Sequence, residues 1–181
     1  MPLHPGPMAS HTVRGGSMTI LGVQNILEIL RCIRETERVI GRFYRRCAET
    51  WKADEAFWLN LEGEEIKHAQ NIEEMAELIR RNPTHFQLNR PFSIAAISTV
   101  ITGIEQNIDQ LNRGVISRER AMVLARDIES SIIEKAYHEI VKTAELAYLT
   151  LVRRVVSETL SHKSAIENKI QESAAQPLPG K

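Results

Sequence analysis

Apolar residues recur at three- and four-residue steps along most of the chain, the rhythm of helices that bury one stripe. From Thr19 to about Thr50 no proline interrupts it, which predicts a long first helix; Gly22 and Gly41 weaken that helix without stopping it. Residues 51–53 read as a short connection, and Asp54 as the N-cap of a second helix that runs to about Arg81, where Arg-Asn-Pro ends it. Residues 82–90 read as loop. Pro91 suits the first turn of a third, shorter helix that stops at Gly114, and Ser117 can cap the next. From there to about Glu172 neither Gly nor Pro occurs. One unbroken helix over that span would be ~80 Å long, so a turn is expected near Lys142–Leu146, with Thr143 as the following cap. No segment alternates as a strand does. The pattern predicts an all-α fold of four long helices, with a shorter helix in the crossover between the second and third.

The buried stripes are informative where they are broken. On the first helix the stripe reads Ile26, Leu30, Ile33, Glu37, Ile40, Tyr44, Cys47, Trp51, with Glu37 the one charged position. The second gives Trp58, Leu61, Glu65, His68, Ile72, Met75, Ile79. After the crossover come Met122, Ala125, Glu129, Ile132, Ala136, and on the last helix Val152, Val155, Thr159, His162, Ile166, Ile170. The layout occurs twice: a single inward Glu on one helix, then inward polar residues three apart ending in His on the next. It has the look of a duplicated helical hairpin.

Inward carboxylates carry a physical demand. An ionised carboxylate in an apolar interior is costly and takes up a proton unless it is compensated, and three together repel one another. A divalent cation removes that penalty, and carboxylate oxygens with imidazole nitrogens suit iron or manganese, with zinc as a further option. If instead the register is misjudged, the same residues are ordinary charges on wet helix faces.

Composition narrows the classes. Lys+Arg and Asp+Glu number 23 each among 181 residues, so no basic excess points to nucleic acid. No run approaches the ~18 apolar residues of a membrane span. Cys32 and Cys47 lie ~22 Å apart along one helix, too far for a disulfide within it, and fit a reducing, cytoplasmic setting. No Cys-x-x-Cys occurs, which excludes a zinc ribbon or rubredoxin-type iron site. Residues 1–17, rich in Pro, Gly and polar residues, are expected to be a disordered leader without signal-peptide character, with Met18 a candidate start; residues 18–173 form the domain and 174–181 a disordered tail.

The segments ETERVIGRFY (35–44), LEGEEIKHAQNI (61–72) and AMVLARDIESSIIEKAY (121–137), and less completely VVSETLSH (155–162), resemble the rubrerythrin-like branch of the ferritin-like superfamily. The resemblance covers roughly residues 20–172. It implies an up-down four-helix bundle in which two helices each give a Glu and two each give Glu-x-x-His to a dinuclear metal centre. By resemblance Glu37, Glu65, His68, Glu129 and His162 are metal ligands, iron is the expected metal, and Glu37, Glu65 and Glu129 are the catalytic carboxylates of an Fe(II)-oxidising or peroxide-reducing oxidoreductase.

Two departures qualify that expectation. Thr159 stands where the family has the second Glu; Glu158, a possible ligand if the helix is distorted or its register shifts, lies about 100° around the helix, so one metal position is expected to be competent and the other weakened. The rubredoxin module is absent, so electrons would come from a donor protein. The alternative is a non-catalytic bundle with a structural or non-redox metal and an interaction role. Tyr44, on the stripe of Glu37, could hydrogen-bond a ligand carboxylate or act in electron transfer; the plainer expectation is a core tyrosine with its hydroxyl at the edge. Trp51, Phe57 and Trp58 read as packing anchors. Glu134 and His138 have a spacing that could hold a surface metal. The apolar stretch at 92–101 could cover the bundle or meet a second subunit, giving a homodimer.

Overall fold

The computed structural model describes residues 20–89, 93–130 and 137–175. The elements are α1 (Ile20–Thr50), α2 (Glu55–Arg81), β1 (Phe86–Leu88), α3 (Ile94–Asn112), α4 (Arg118–Glu129), the four-residue α5 (Tyr137–Ile140), β2 (Val141–Thr143) and α6 (Leu146–Ala175), with short 3-10 turns at Lys52–Asp54 and Pro83–His85. The protein is all-α with a small two-stranded ribbon. Here α1 packs along α2 and α3, and α6 packs against both α2 and α4. Among the described residues no helix is long and apolar enough to cross a membrane.

Several ends follow from local chemistry. Ser117 caps α4, its hydroxyl accepting from the Arg120 N–H at 3.2 Å. Gly114, with φ 68°, closes α3: its N–H reaches the Leu111 carbonyl at 3.0 Å and the Val115 N–H reaches that of Gln110 at 3.0 Å. Ser93 begins α3, accepting from the Ala96 N–H, while Pro91 lies outside the described residues.

Other expectations are corrected. Asp54 sits at the N-cap of α2, but its side chain makes no cap bond. Its carboxylate is instead clamped by the Arg118 guanidinium, at 2.5 and 3.0 Å, with the Lys169 ammonium at 3.4 Å. A charged, bidentate partner outcompetes a backbone N–H for those oxygens, and the clamp ties the α1–α2 corner to α4 and α6. The helix expected from Ser117 to the 142–146 turn ends at Glu129. The turn is where it was expected, but strand β2 precedes it and pairs antiparallel with β1, Phe86 opposite Thr143 and Leu88 opposite Val141. Thr143 serves the turn: its hydroxyl donates to the His85 carbonyl at 2.9 Å and accepts from the Glu145 N–H at 3.1 Å. Residues 174 and 175, read as tail, continue α6. The 1–17 leader and Glu134 lie outside the described residues, as does the side chain of His138.

Helix α3 turns Ile97, Ile104 and Leu111 inward and half-buries Ile94, Val100, Ile101 and Ile108, so its apolar residues cover α1. Cys32 and Cys47 are both buried and free. The core is in two parts. One joins Ile26, Ile29 and Ile33 of α1 to Ile72, Met75 and Ile79 of α2 and to Tyr148, Val152 and Val155 of α6. The other joins Ile40, Phe43 and Tyr44 to Trp58 and Leu61, to Met122 and Ala125 of α4, and to Ile166 of α6. Trp58 packs as expected, stacked on Tyr44 and edge-on to Phe57. Between these two apolar blocks lies a buried polar belt.

Candidate metal centre

Every helix that crosses the belt contributes at its stripe position. Glu37 on α1, Glu65 and His68 on α2, Glu129 at the end of α4, and Thr159 and His162 on α6 are all buried, none more than 5 % exposed. None of the five expected ligands turns out to solvent. On α1 the belt falls between Ile33 and Val39, on α2 between Leu61 and Ile72, and on α6 between Val155 and Ile166. The apolar residues that flank each break hold the register, and the three-residue step from Glu65 to His68 puts both on one helix face.

Ligand atoms of Glu65, His68 and His162 lie within 4.8 Å of one another. Glu65 is central: one oxygen is 3.3 Å from His68 Nδ1 and the other 3.1 Å from His162 Nδ1. The two imidazoles are nearly parallel, with centroids 5.2 Å apart. Glu129 stands next to this trio, its Oε1 3.5 Å from His162 Nδ1, and Glu37 is hydrogen-bonded to Glu65. Neither Glu37 nor Glu129 enters the 4.8 Å sphere.

Outer partners orient the inner ones. The Tyr44 hydroxyl donates to Glu129 Oε1 at 2.5 Å, and Tyr44 is fully buried, so the expectation of a hydroxyl at the edge is overturned. Glu158 places Oε2 3.1 Å from His68 Nε2. A carboxylate on that nitrogen holds its N–H and leaves Nδ1 facing Glu65. Glu158, a possible ligand by sequence, is thus a partner of His68 and keeps a side chain 33 % exposed. Its one-residue offset from Thr159 was visible in the chain; its partner, on another helix, was not.

The charges are strongly coupled. Burial works to raise the Glu65 carboxyl, but His162 and His68 outweigh it and hold it well below the usual carboxylate range. Burial works to lower the His162 imidazole, but Glu129 and Glu65 outweigh it and hold it up at about 10. Glu129 is pushed up, by burial first and then by the charge of Glu65, against the pull of His162 and Tyr44. Without a metal, the His162 proton is what reconciles these carboxylates.

The donor set fits a divalent cation. Glu65 Oε1, His162 Nδ1, Glu129 Oε2 and Thr159 Oγ1 are buried without a hydrogen-bond partner. The 3.1 Å approach of Glu65 Oε1 to His162 Nδ1 is therefore close but misaligned for a hydrogen bond. Two ligands each about 2.0–2.2 Å from one ion stand about 3.0–3.5 Å apart along a coordination edge. The 3.1 and 3.3 Å separations fall in that range.

Two clefts approach the belt. One, of about 340 Å³ between α1 and α2, is lined by Glu37, Gly41 and Ala69. The other, of about 230 Å³ between α2 and α6, is lined by Leu61, Glu64, Glu158 and His162. Compared with protein-family models, curated proteins and solved structures, the chain matches none.

Proposed function

We propose that this chain is a ferritin-like, rubrerythrin-like metal protein that binds iron through Glu37, Glu65, His68, Glu129 and His162 and supports Fe(II) oxidation or peroxide reduction. The observation that carries the reading is the convergence of buried carboxylates and imidazoles from four helices with inward atoms left unpartnered. Iron, when bound, would supply the redox change at the centre. The chain's own part is positioning. Glu65 spans both imidazoles, Glu158 fixes the tautomer of His68, and the Tyr44 hydroxyl holds Glu129 in place. The apolar blocks on either side keep bulk water from the belt, and the α2–α6 cleft gives small molecules a way to His162. Electrons for a peroxidase cycle would come from a separate donor protein.

Thr159 favours a second reading, a bundle with a structural or non-redox metal, because a catalytic carboxylate is missing there. Metal analysis after expression with iron, followed by stopped-flow oxidation of added Fe(II), separates the two. Tightly bound iron with rapid Fe(II) oxidation supports the first reading. Bound metal without turnover supports the second, and a metal-free chain contradicts both.

A further inference from the structure

We propose that the centre is mononuclear: one divalent ion held by Glu65, His68 and His162, with a coordination position left open beside Thr159 for a small exogenous ligand such as water or azide. The proposal rests on the metal-binding reading above, fixes its stoichiometry, and narrows its ligands to these three, with Glu37 and Glu129 as neighbours of the ion's site.

The three ligand atoms that share a 4.8 Å sphere form a two-His, one-carboxylate set, which is a complete binding unit for a single ion and leaves positions open. The remaining inward carboxylates stand outside that sphere. Glu129 gives Oε1 to the Tyr44 hydroxyl, and Glu37 is hydrogen-bonded to Glu65. A second ion would need an acidic ligand from α6. The inward residue there is Thr159, whose buried hydroxyl has no partner and offers only a neutral oxygen. The neighbouring Glu158 is held on the far ring nitrogen of His68, outside the sphere.

Charge points the same way. Two divalent ions would exceed what the inward carboxylates Glu37, Glu65 and Glu129 can offset, leaving net positive charge in an apolar surround. One ion needs only two carboxylate charges, which Glu65 and one neighbour supply. The buried, unpartnered hydroxyl of Thr159, three residues before His162 on α6, is the group assigned to hydrogen-bond whatever fills the open position.

The test is a titration of the full-length, metal-stripped chain with Mn(II) and Co(II). Wild type is expected to bind about one equivalent, with the electron paramagnetic resonance of an isolated Mn(II) ion. Added azide is expected to shift the Co(II) absorption spectrum. Thr159→Glu is expected to raise the stoichiometry to about two and to give the spectrum of an exchange-coupled pair. The wild-type count stands on its own if that variant fails to fold. Two ions in wild type with a coupled spectrum would overturn the mononuclear proposal while leaving the metal reading intact. An azide-insensitive Co(II) spectrum would overturn the open position. A folded Thr159→Glu that still binds one ion would count against the role given to Thr159. No bound metal in wild type would overturn the metal reading itself.

Discussion

The belt has two unequal halves. In the first, Glu37, Glu65 and His68 sit in the interiors of the long, uninterrupted helices α1 and α2, and their side chains are linked to one another. In the second, Glu129 is the last residue of α4, Thr159 supplies no charge, and His162 reaches across to Glu65 of the first half. A helix C-terminus carries partial negative charge, so a carboxylate at Glu129 is disfavoured by its position as well as by its burial. It is stabilised there by a hydroxyl, from Tyr44, and by a cationic imidazole. The first half is preorganised by helix geometry; the second depends on what it gathers around it.

The sharpest break of that comparison is to delete one residue from each half. Glu65→Ala removes the group that contacts both imidazoles, and Mn(II) affinity is expected to fall by more than the roughly 100-fold upper range of an outer-partner loss. Thr159→Ala removes only a neutral hydroxyl and should change affinity by less than ~10-fold. Comparable losses in the two variants, measured by calorimetry, would mean the halves are equivalent after all.

Next in size is the effect of pH. A divalent ion must displace the proton that His162 holds up to about 10, so affinity should rise about tenfold per pH unit from roughly pH 7 to 9. A flat profile would exclude His162 as a ligand. Stability of the metal-free chain has its own window. The raised His162 stabilises the fold fully below its ordinary value of 6.5, and that contribution is lost as pH rises through about 10. The depressed Glu65 contributes fully above its ordinary 4.5, and that contribution is lost on acidification below it. Glu129, pushed up in the fold, contributes fully below its ordinary 4.5 and loses that contribution as pH rises, so the thermal midpoint of the metal-free chain should be highest near 4.5 and fall on both sides.

A smaller effect sharpens the boundary between ligand and partner. Glu158→Ala frees His68 Nε2 and should lower metal affinity by about 10–100-fold without changing stoichiometry. Loss of a bound equivalent in this variant would make Glu158 a ligand rather than a partner.

Much of this was legible along the chain because it depends on local period. Apolar neighbours at three- and four-residue steps placed Glu37, Glu65, His68, Glu129, Thr159 and His162 inward before any contact was known, and Ser117 and Gly114 marked their helix ends. The features that local period does not encode depend on distant partners or very short elements. Strands of three residues are too brief to show alternation, so β1 and β2 were hidden in a loop and a helix. Asp54 looked like a cap because Arg118, 64 residues away, could not be seen to claim it. The break at Glu129 fell in a segment free of Gly and Pro, where helix propensity had no reason to stop. Tyr44 was on the right stripe, but only packing against α4 decides where its hydroxyl points.

The most direct test is anomalous X-ray scattering from crystals grown with Mn(II) or Fe(II). A peak about 2.0–2.3 Å from Glu65, His68 Nδ1 and His162 Nδ1 is the expected result. A belt that stays metal-free under those conditions, with ordered water joining Glu65, Glu129 and His162, would contradict the metal centre.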